Sequence, residues 1–471
     1  MNLCMKALGV ISLVIMLGSW AVSPALADIE FFGTAKVKPT LYSNFDFDDS
    51  KPDAPVLNEG GWASGEHVRS ELRLGWKATG ENWRVKMIAE ADIINSKDNA
   101  DRSFYVGATK ENQPNTGGEF GIERAEMGYS FCKALDLSAG WDIRFLDIKS
   151  GGLLFGDDHP FIGLKGALGD NTKYELLYLA IENIDIIGGA DSPNTGDWRA
   201  YSLKIDQAFD LGNVGNLTVS PLFAFSDNEH QNAAISYYGL ESLGKIGPVN
   251  TSFEIIAADG EFNTAAEKDI SSWAMFAGLE LPVNDNFTPY VAYRFTQGDG
   301  NASDNEVEGF VGITDIGRFT PLMGMDGNIL GEHLSSGASI YNAPLYSFSP
   351  ERAVGGDNYG GIGNGGSGNN PGEKIIAVGA KGALLPKLGY KAQAFFIWYD
   401  DTANLANIVN PGQAVDDYAG TTFDLQLKYA FNKNFAIDNI FSTFVPGDGI
   451  QDQVNADDNA YLNMLTLAWT Y

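Results

Sequence analysis

Arg69, Glu71 and Arg73 stand two residues apart, with Val68, Ser70, Leu72 and Leu74 filling the positions between and around them. Charged residues keep that parity in Arg84, Lys86 and Glu90, in Arg124 and Glu126, and in Asp142 and Arg144. Arg294 and the pair Asp424 and Lys428 occupy equivalent places in later alternating runs. In an extended strand, alternate residues point to one side of the sheet. Each set would therefore present fixed charges of both signs on a single face. The chemistry this offers is electrostatic: opposite charges brace a wall by pairing. A basic ladder of Arg69, Arg73, Arg84, Lys86, Arg124, Arg144 and Arg294 would also guide an anionic or polyhydroxylated solute. Both roles fit the pattern, and both stay open at the level of sequence.

Catalytic chemistry finds no comparable constellation. The four His residues, at 67, 159, 230 and 333, are scattered and show no HExxH spacing. Asp157-Asp158-His159 sits in a polar stretch of the kind found on surface loops. No Ser or Cys has a recognisable His and acid arrangement around it, and no Gly-rich run lies between a strand and a helix. The chain is therefore read as a non-enzyme without a resident organic cofactor. Asp46, Asp48 and Asp49, with Asp457 and Asp458, are weak candidates for calcium on external loops, since neither group follows EF-hand spacing.

The elements that would carry these side chains follow from composition and period. The chain has 471 residues, 61 Asp and Glu against 31 Lys and Arg, and a formal charge of -30. That acid excess argues against nucleic acid as a partner, because a phosphate backbone needs a surplus of positive charge. Residues 1–27 read as a secretory signal peptide: Lys6, an apolar run from Ala7 to Trp20, and Ala25-Leu26-Ala27 as the cleavage site. Its removal takes Cys4 and leaves Cys132 as the single cysteine, so a disulfide within the mature chain is excluded.

Beyond residue 27 no apolar run is long enough for a membrane helix. Instead, runs of about ten residues with period 2 recur. The spacing predicts eighteen strands at 29–45, 67–79, 82–93, 121–132, 136–147, 160–168, 172–187, 198–209, 216–226, 232–242, 248–259, 270–281, 286–297, 373–384, 388–400, 420–430, 434–445 and 460–471. Tight joins alternate with long loops rich in Asp, Asn, Gly and Ser. Short turns on one side and long loops on the other are the pattern of an all-β, antiparallel transmembrane barrel, with 28–471 a single unit. Trp83, Trp141, Trp273, Trp398 and Trp469 are expected to face lipid. The aromatic Tyr471 after an alternating strand is the kind of ending that outer-membrane barrels present to their insertion machinery. The 298–372 segment is too long for a simple connection; it is expected to fold inward as a constriction or to cap the mouth.

The strand HVRSELRLGW, the hairpin AEMGYSFCKALDLSAGWDIR, the following GGLLFGDDHPFIG and the late FSTFVPGD give the chain a resemblance to the alginate-export family and its porin-like relatives. That resemblance implies an eighteen-stranded monomeric barrel with periplasmic termini and an Arg-lined pore for an acidic polysaccharide. The acidity of this chain and the length of 298–372 depart from the family pattern. With Lys6 removed the formal charge is -31, and the surplus acid falls on the long loops. A negative rim opposes an anionic polymer, so the expected role is an outer-membrane porin for small hydrophilic solutes, with neutral, mixed-charge or cationic ones favoured. Acidic-polysaccharide export and a structural or adhesive barrel, or a sleeve for another exported component, are the alternatives. Expected partners are outer-membrane lipid and lipopolysaccharide; a monomer is favoured over a trimer.

Overall fold

The computed structural model describes residues 28–44, 47–50, 66–96, 119–147, 153–183, 197–229, 232–262, 268–301, 303–310, 312–315, 371–405 and 407–471. The expected signal peptide at 1–27, and 316–370 of the long segment, lie outside the described residues.

The first strands are β1 (Asp28–Ser43), β2 (Glu66–Thr79), β3 (Trp83–Ser96), β4 (Glu119–Cys132), β5 (Leu135–Phe145) and β6 (Phe155–Ala167). They are followed by β7 (Thr172–Asn183), β8 (Asp197–Asp210), β9 (Gly215–Asn228), β10 (Ala233–Ile246), β11 (Val249–Phe262), β12 (Lys268–Glu280) and β13 (Thr288–Thr296). After two-residue strands β14 (Glu306–Val307) and β15 (Thr314–Asp315), the wall resumes with β16 (Glu373–Leu385), β17 (Leu388–Tyr399), β18 (Tyr418–Ala430), β19 (Phe435–Pro446) and β20 (Ala460–Thr470). Consecutive wall strands pair antiparallel, β13 pairs with β16, and β1 pairs with β20. The result is a closed barrel of eighteen strands, the β solution that leaves no backbone edge in lipid. Among the described residues no helix is long and apolar enough to cross a membrane.

The closing seam is tight. Gly33 and Tyr471 exchange backbone hydrogen bonds of 3.2 and 3.1 Å. A Cβ at Gly33 would lie 2.2 Å from the Tyr471 hydroxyl oxygen and 2.5 Å from the Arg73 carbonyl oxygen, so the ring occupies space that any larger residue would need.

Outward residues are apolar and exposed along the wall, as in Leu72, Leu74, Trp141, Trp273, Val291, Leu425 and Trp469. Trp83 and Trp398 share the outward parity of their strands and are half-buried by neighbours. Aromatic contacts gather at both ends of the belt: Phe431, Phe435 and Trp469 stack at the short-turn end, and Trp398 meets Tyr418 near the long loops. Such girdles mark the two headgroup levels of an outer-membrane barrel.

The interior divides into two sectors. On β7 to β20 the inward face carries a buried apolar cluster that includes Leu179, Leu222, Tyr237, Ile256, Phe276, Phe395 and Phe444, interleaved with the ion pairs Lys204–Glu241, Arg294–Glu373 and Lys381–Glu280. Water is kept off the cluster by inward-folded loop residues: Leu153 and Leu154, Leu405, Val415, and Ile450 of the short helix α1 (Asp448–Val454). The 298–315 chain adds Val307, Phe310 and Ile313 to the same cluster. Here β14 pairs parallel with the start of β12, and β15 with the start of β6, six strands away. This chain is thus a strap that bridges the long-loop mouth and folds inward. On β1 to β5 the inner face is charged.

Candidate functional site

The charged sector begins on β2, where Glu71 is the centre of a cation cluster. Its carboxylate lies 2.8 Å from Lys36, 3.5 Å from Lys38 and 3.6 Å from Arg73. Arg73 continues the row, donating from Nε to Glu90 at 2.9 Å and from Nη2 to Glu123 at 3.1 Å. Toward the short-turn end, Arg84 makes a fork to both oxygens of Asp136 at 2.8 and 2.7 Å. Two-bond forks of this kind fix orientation as well as charge. Higher up, Lys86 donates to Asp142, Arg124 lies 3.6 Å from it, and Arg144 lies 3.2 Å from Glu126.

Backbone detail makes this packing possible. Opposite Ile88 and Ala89 the β4 register slips, with Ile88 facing Arg124 and Ala89 facing Ile122. This bulge gives one residue of β4 no cross-strand partner, so Glu123 and Arg124 both reach lumen partners. Glu126 faces Gly140, whose φ is +147° and whose Cβ would fall 2.0 Å from the Ala125 carbonyl oxygen. With no side chain there, Glu126 has room to serve Arg84, Lys86 and Arg144.

Signs are not distributed evenly with depth. The cations named above have side chains 19–32% exposed, whereas Glu71 and Asp142 are 5% exposed and Glu90, Glu123, Glu126 and Asp136 are 13–19% exposed; only at the short-turn end, where Lys77 is 47% and Glu30 60% exposed, does the order reverse. Carboxylates lie against the wall and cations stand over them. The numbers of charges nearly cancel, but the surface offered to the lumen is basic.

Eight of the residues expected from sequence meet here: Glu71, Arg73, Arg84, Lys86, Arg124, Glu126, Asp142 and Arg144. Arg69 lies on β2 opposite Lys38, and its side chain is outside the described residues. Arg294 and Asp424 point inward on the other sector and are each 4% exposed. Arg294 pairs with Glu373, and Asp424 accepts from Gln393 at 3.0 Å and Ser442 at 2.5 Å. Lys428 is exposed near the short-turn end of β18. Arg199 shares the outward parity of Tyr201 and pairs with Asp197 at the rim.

The calcium candidates serve as loop ties. Asp48 accepts from the Ser50 amide at 3.2 Å, and the Asp49 amide donates to Asp458 at 3.0 Å. Asp457 is exposed, and Asp46 lies outside the described residues. Among the described residues no three His, Cys, Asp or Glu side chains are gathered as a metal-holding set.

Sequence reasoning passed over Lys36, Lys38, Glu123, Asp136 and Phe161. Lys36 and Lys38 keep the same two-residue parity and were accessible to it. Phe161 approaches the sector from β6, its ring centre 3.6 Å from the Arg144 guanidinium carbon.

No model of a known protein family matches the sequence, and no curated protein matches it. Solved structures do match in fold. Pseudomonas aeruginosa OccK8 (OprE) aligns with a TM-score of 0.52 at 12% identity, covering 94% of this chain and 98% of that one. P. aeruginosa OpdK, solved with vanillate, gives 0.52 at 11% identity with the same coverages. P. aeruginosa OccK5 (OpdH) gives 0.51 at 12%, again over 94% and 98%. Membership of the alginate-export family, which the sequence motifs implied, is not among these likenesses. What they share with this chain is the fold, that of a closed antiparallel β-barrel.

Proposed function

We propose that the protein is an outer-membrane channel for passive diffusion of small hydrophilic solutes, and that its charged sector favours anionic ones. The observation that carries the reading is the depth ordering of charge: cations over recessed carboxylates along one open wall. A confined aqueous path beside such a wall focuses a positive potential and raises the local concentration of anions. The acid surplus of the chain does not oppose this locally, because rim charges are screened over about 8 Å at physiological salt. That separation is why the lumen favours a different class of solute from the neutral or cationic ones expected from net charge. The solved barrel containing vanillate is a precedent, within this architecture, for a small organic anion as ligand.

Long acidic polymers are disfavoured by the strap across the mouth. A purely structural barrel is distinguished by current. Planar-bilayer recordings of the purified protein should give steady open channels whose reversal potential, under a salt gradient, reports anion preference. A closed barrel, or cation preference, refutes the proposal. Liposome uptake of small carboxylates should exceed that of amines of equal size, and oligouronates should be excluded.

A further inference from the structure

The outer wall beside the closing seam breaks the apolar rule. On β19 and β20 the residues facing away from the lumen include Phe441, Leu465 and Trp469, and among them stand Asn439 and Asn463. Parity fixes their direction. Ser442 and Leu462, on the opposite phase, are 0% and 1% exposed inside the barrel, while Phe441 is 42% exposed outside it. Phe435 and Trp469 stack at the short-turn girdle, and Tyr461 stands toward the long loops; both asparagines lie between these levels.

The two amides touch. Asn439 Nδ2 donates to Asn463 Oδ1 and to the Met464 carbonyl, each at 3.3 Å. A primary amide offers two N–H groups and an oxygen with two lone pairs. Among the described residues Asn439 Oδ1 accepts from nothing, and the Asn463 NH2 donates to nothing. Both side chains are half-buried, so these bare groups stay reachable from outside. Thr443, on the same face, turns its hydroxyl to the Ala460 carbonyl at 3.1 Å. The amides have more groups than their own strands serve, and hydrocarbon satisfies none of them.

The bare groups are complementary in partial charge: a donor on Asn463 beside an acceptor on Asn439. A second identical patch turned about a two-fold axis presents the same two groups in reverse, since such an interface pairs residue i with j and j with i. We propose that this face of β19 and β20 is the contact of a homodimer in the membrane. Asn463 of one protomer donates to Asn439 of its partner, and the reverse, while Phe441 and Leu465 supply apolar packing beside them. An axis along the membrane normal keeps both mouths on one side of the bilayer. The dimer rests on the barrel standing in lipid and not on which solute it carries.

Photobleaching step counts test it, on full-length protein labelled at the exposed Cys132 and diluted in lipid bilayers over a range of protein-to-lipid ratios. Wild-type spots should pass from two steps to one on dilution. Asn439→Leu and Asn463→Leu should each move that transition to at least about fivefold higher protein density, because either change removes both reciprocal bonds. Ser242→Leu, outward on the distant β10, should leave it in place. Heat-modifiable migration on gels shows which variants are folded, and one folded asparagine variant suffices for the comparison. Single steps at every density in the wild type, spots of three or more steps, or an unmoved transition in a folded variant would overturn the proposal.

Discussion

Arg144 lies at the border of the two interior sectors, its guanidinium carbon 3.6 Å from the ring centre of Phe161 and its Nη2 3.2 Å from Glu126. One face of the group is held by an aromatic ring and one edge by a carboxylate. The guanidinium is therefore fixed where charged and apolar walls meet. Arg144→Ala should reduce anion over cation permeability by about twofold or more, because a fixed charge is lost from a confined path. Asp48→Asn, on a salt-bathed loop, should change little. Reversal potentials for both variants decide it; equal shifts would remove the inner cations as the source of selectivity.

Glu71→Gln acts in the opposite sense. The recessed carboxylate serves Lys36, Lys38 and Arg73 together. Loss of one partner from a buried charge group costs about 3–5 kcal/mol. Its cations here are a fifth to a third exposed, and screening brings the expected cost to about 1–2 kcal/mol. The temperature at which the folded gel band disappears should fall while anion preference rises. A variant as stable as the wild type would show that the carboxylate does not brace the wall.

Phe310 is wholly buried in the strap. Truncation of a buried Phe costs about 3–5 kcal/mol, and here the loss falls on strap packing rather than on wall hydrogen bonds. Phe310→Ala should therefore raise single-channel conductance or add open-state noise while leaving the barrel's heat resistance nearly intact. Unchanged conductance would mean that the strap does not limit the path.

The first and last long loops are joined by a pH-sensitive tie. A hydrogen bond that the protonated Asp49 carboxyl donates to Asp458, with repulsion between the two charges, raises the Asp49 carboxyl above its usual range. A raised carboxyl in the closed form means that closure binds the proton. The contribution is therefore present at low pH and is lost as pH rises through the raised value. Hydrogen exchange of the Asp49 amide should slow on acidification, after correction for intrinsic rates, and Asp458→Asn should abolish that trend. A trend unchanged in the variant would place the sensitivity elsewhere.

The seam makes a steric prediction. Gly33→Val should sharply reduce the yield of folded barrel, because the new side chain meets Tyr471 and the Arg73 carbonyl. Gly169→Ala, where a Cβ meets nothing within 4 Å, should fold as the wild type. Equal yields would show that the ring over Gly33 is free to move away.

Strand positions were legible because lipid on one side and water on the other enforce a period of two. Period failed where that contrast failed. β6 begins at Phe155, five residues before the alternation suggested, since Asp157 and Asp158 read as loop yet pair with Arg144 and Ile143. Glu123 was missed because a bulge shifts parity, and a bulge leaves no compositional mark. Arg294 and Asp424 keep the parity of their strands, but parity says nothing about what covers a face. The apolar sector was the least legible: with both faces of β9 to β17 largely hydrophobic, only the inward-folded loops tell inside from outside.

Asn44 donates to the carbonyl of Asn459, 415 residues along the chain, and β1 and β20 are paired beside them. Every other long strand pair can form from neighbours in sequence; this one cannot exist until β20 has arrived. Until then the curved sheet carries two open edges, each a template for pairing with a foreign strand. The burden of this architecture thus falls on the time before closure, and any factor that shelters β1 during that interval will govern yield more than one that strengthens the finished cylinder.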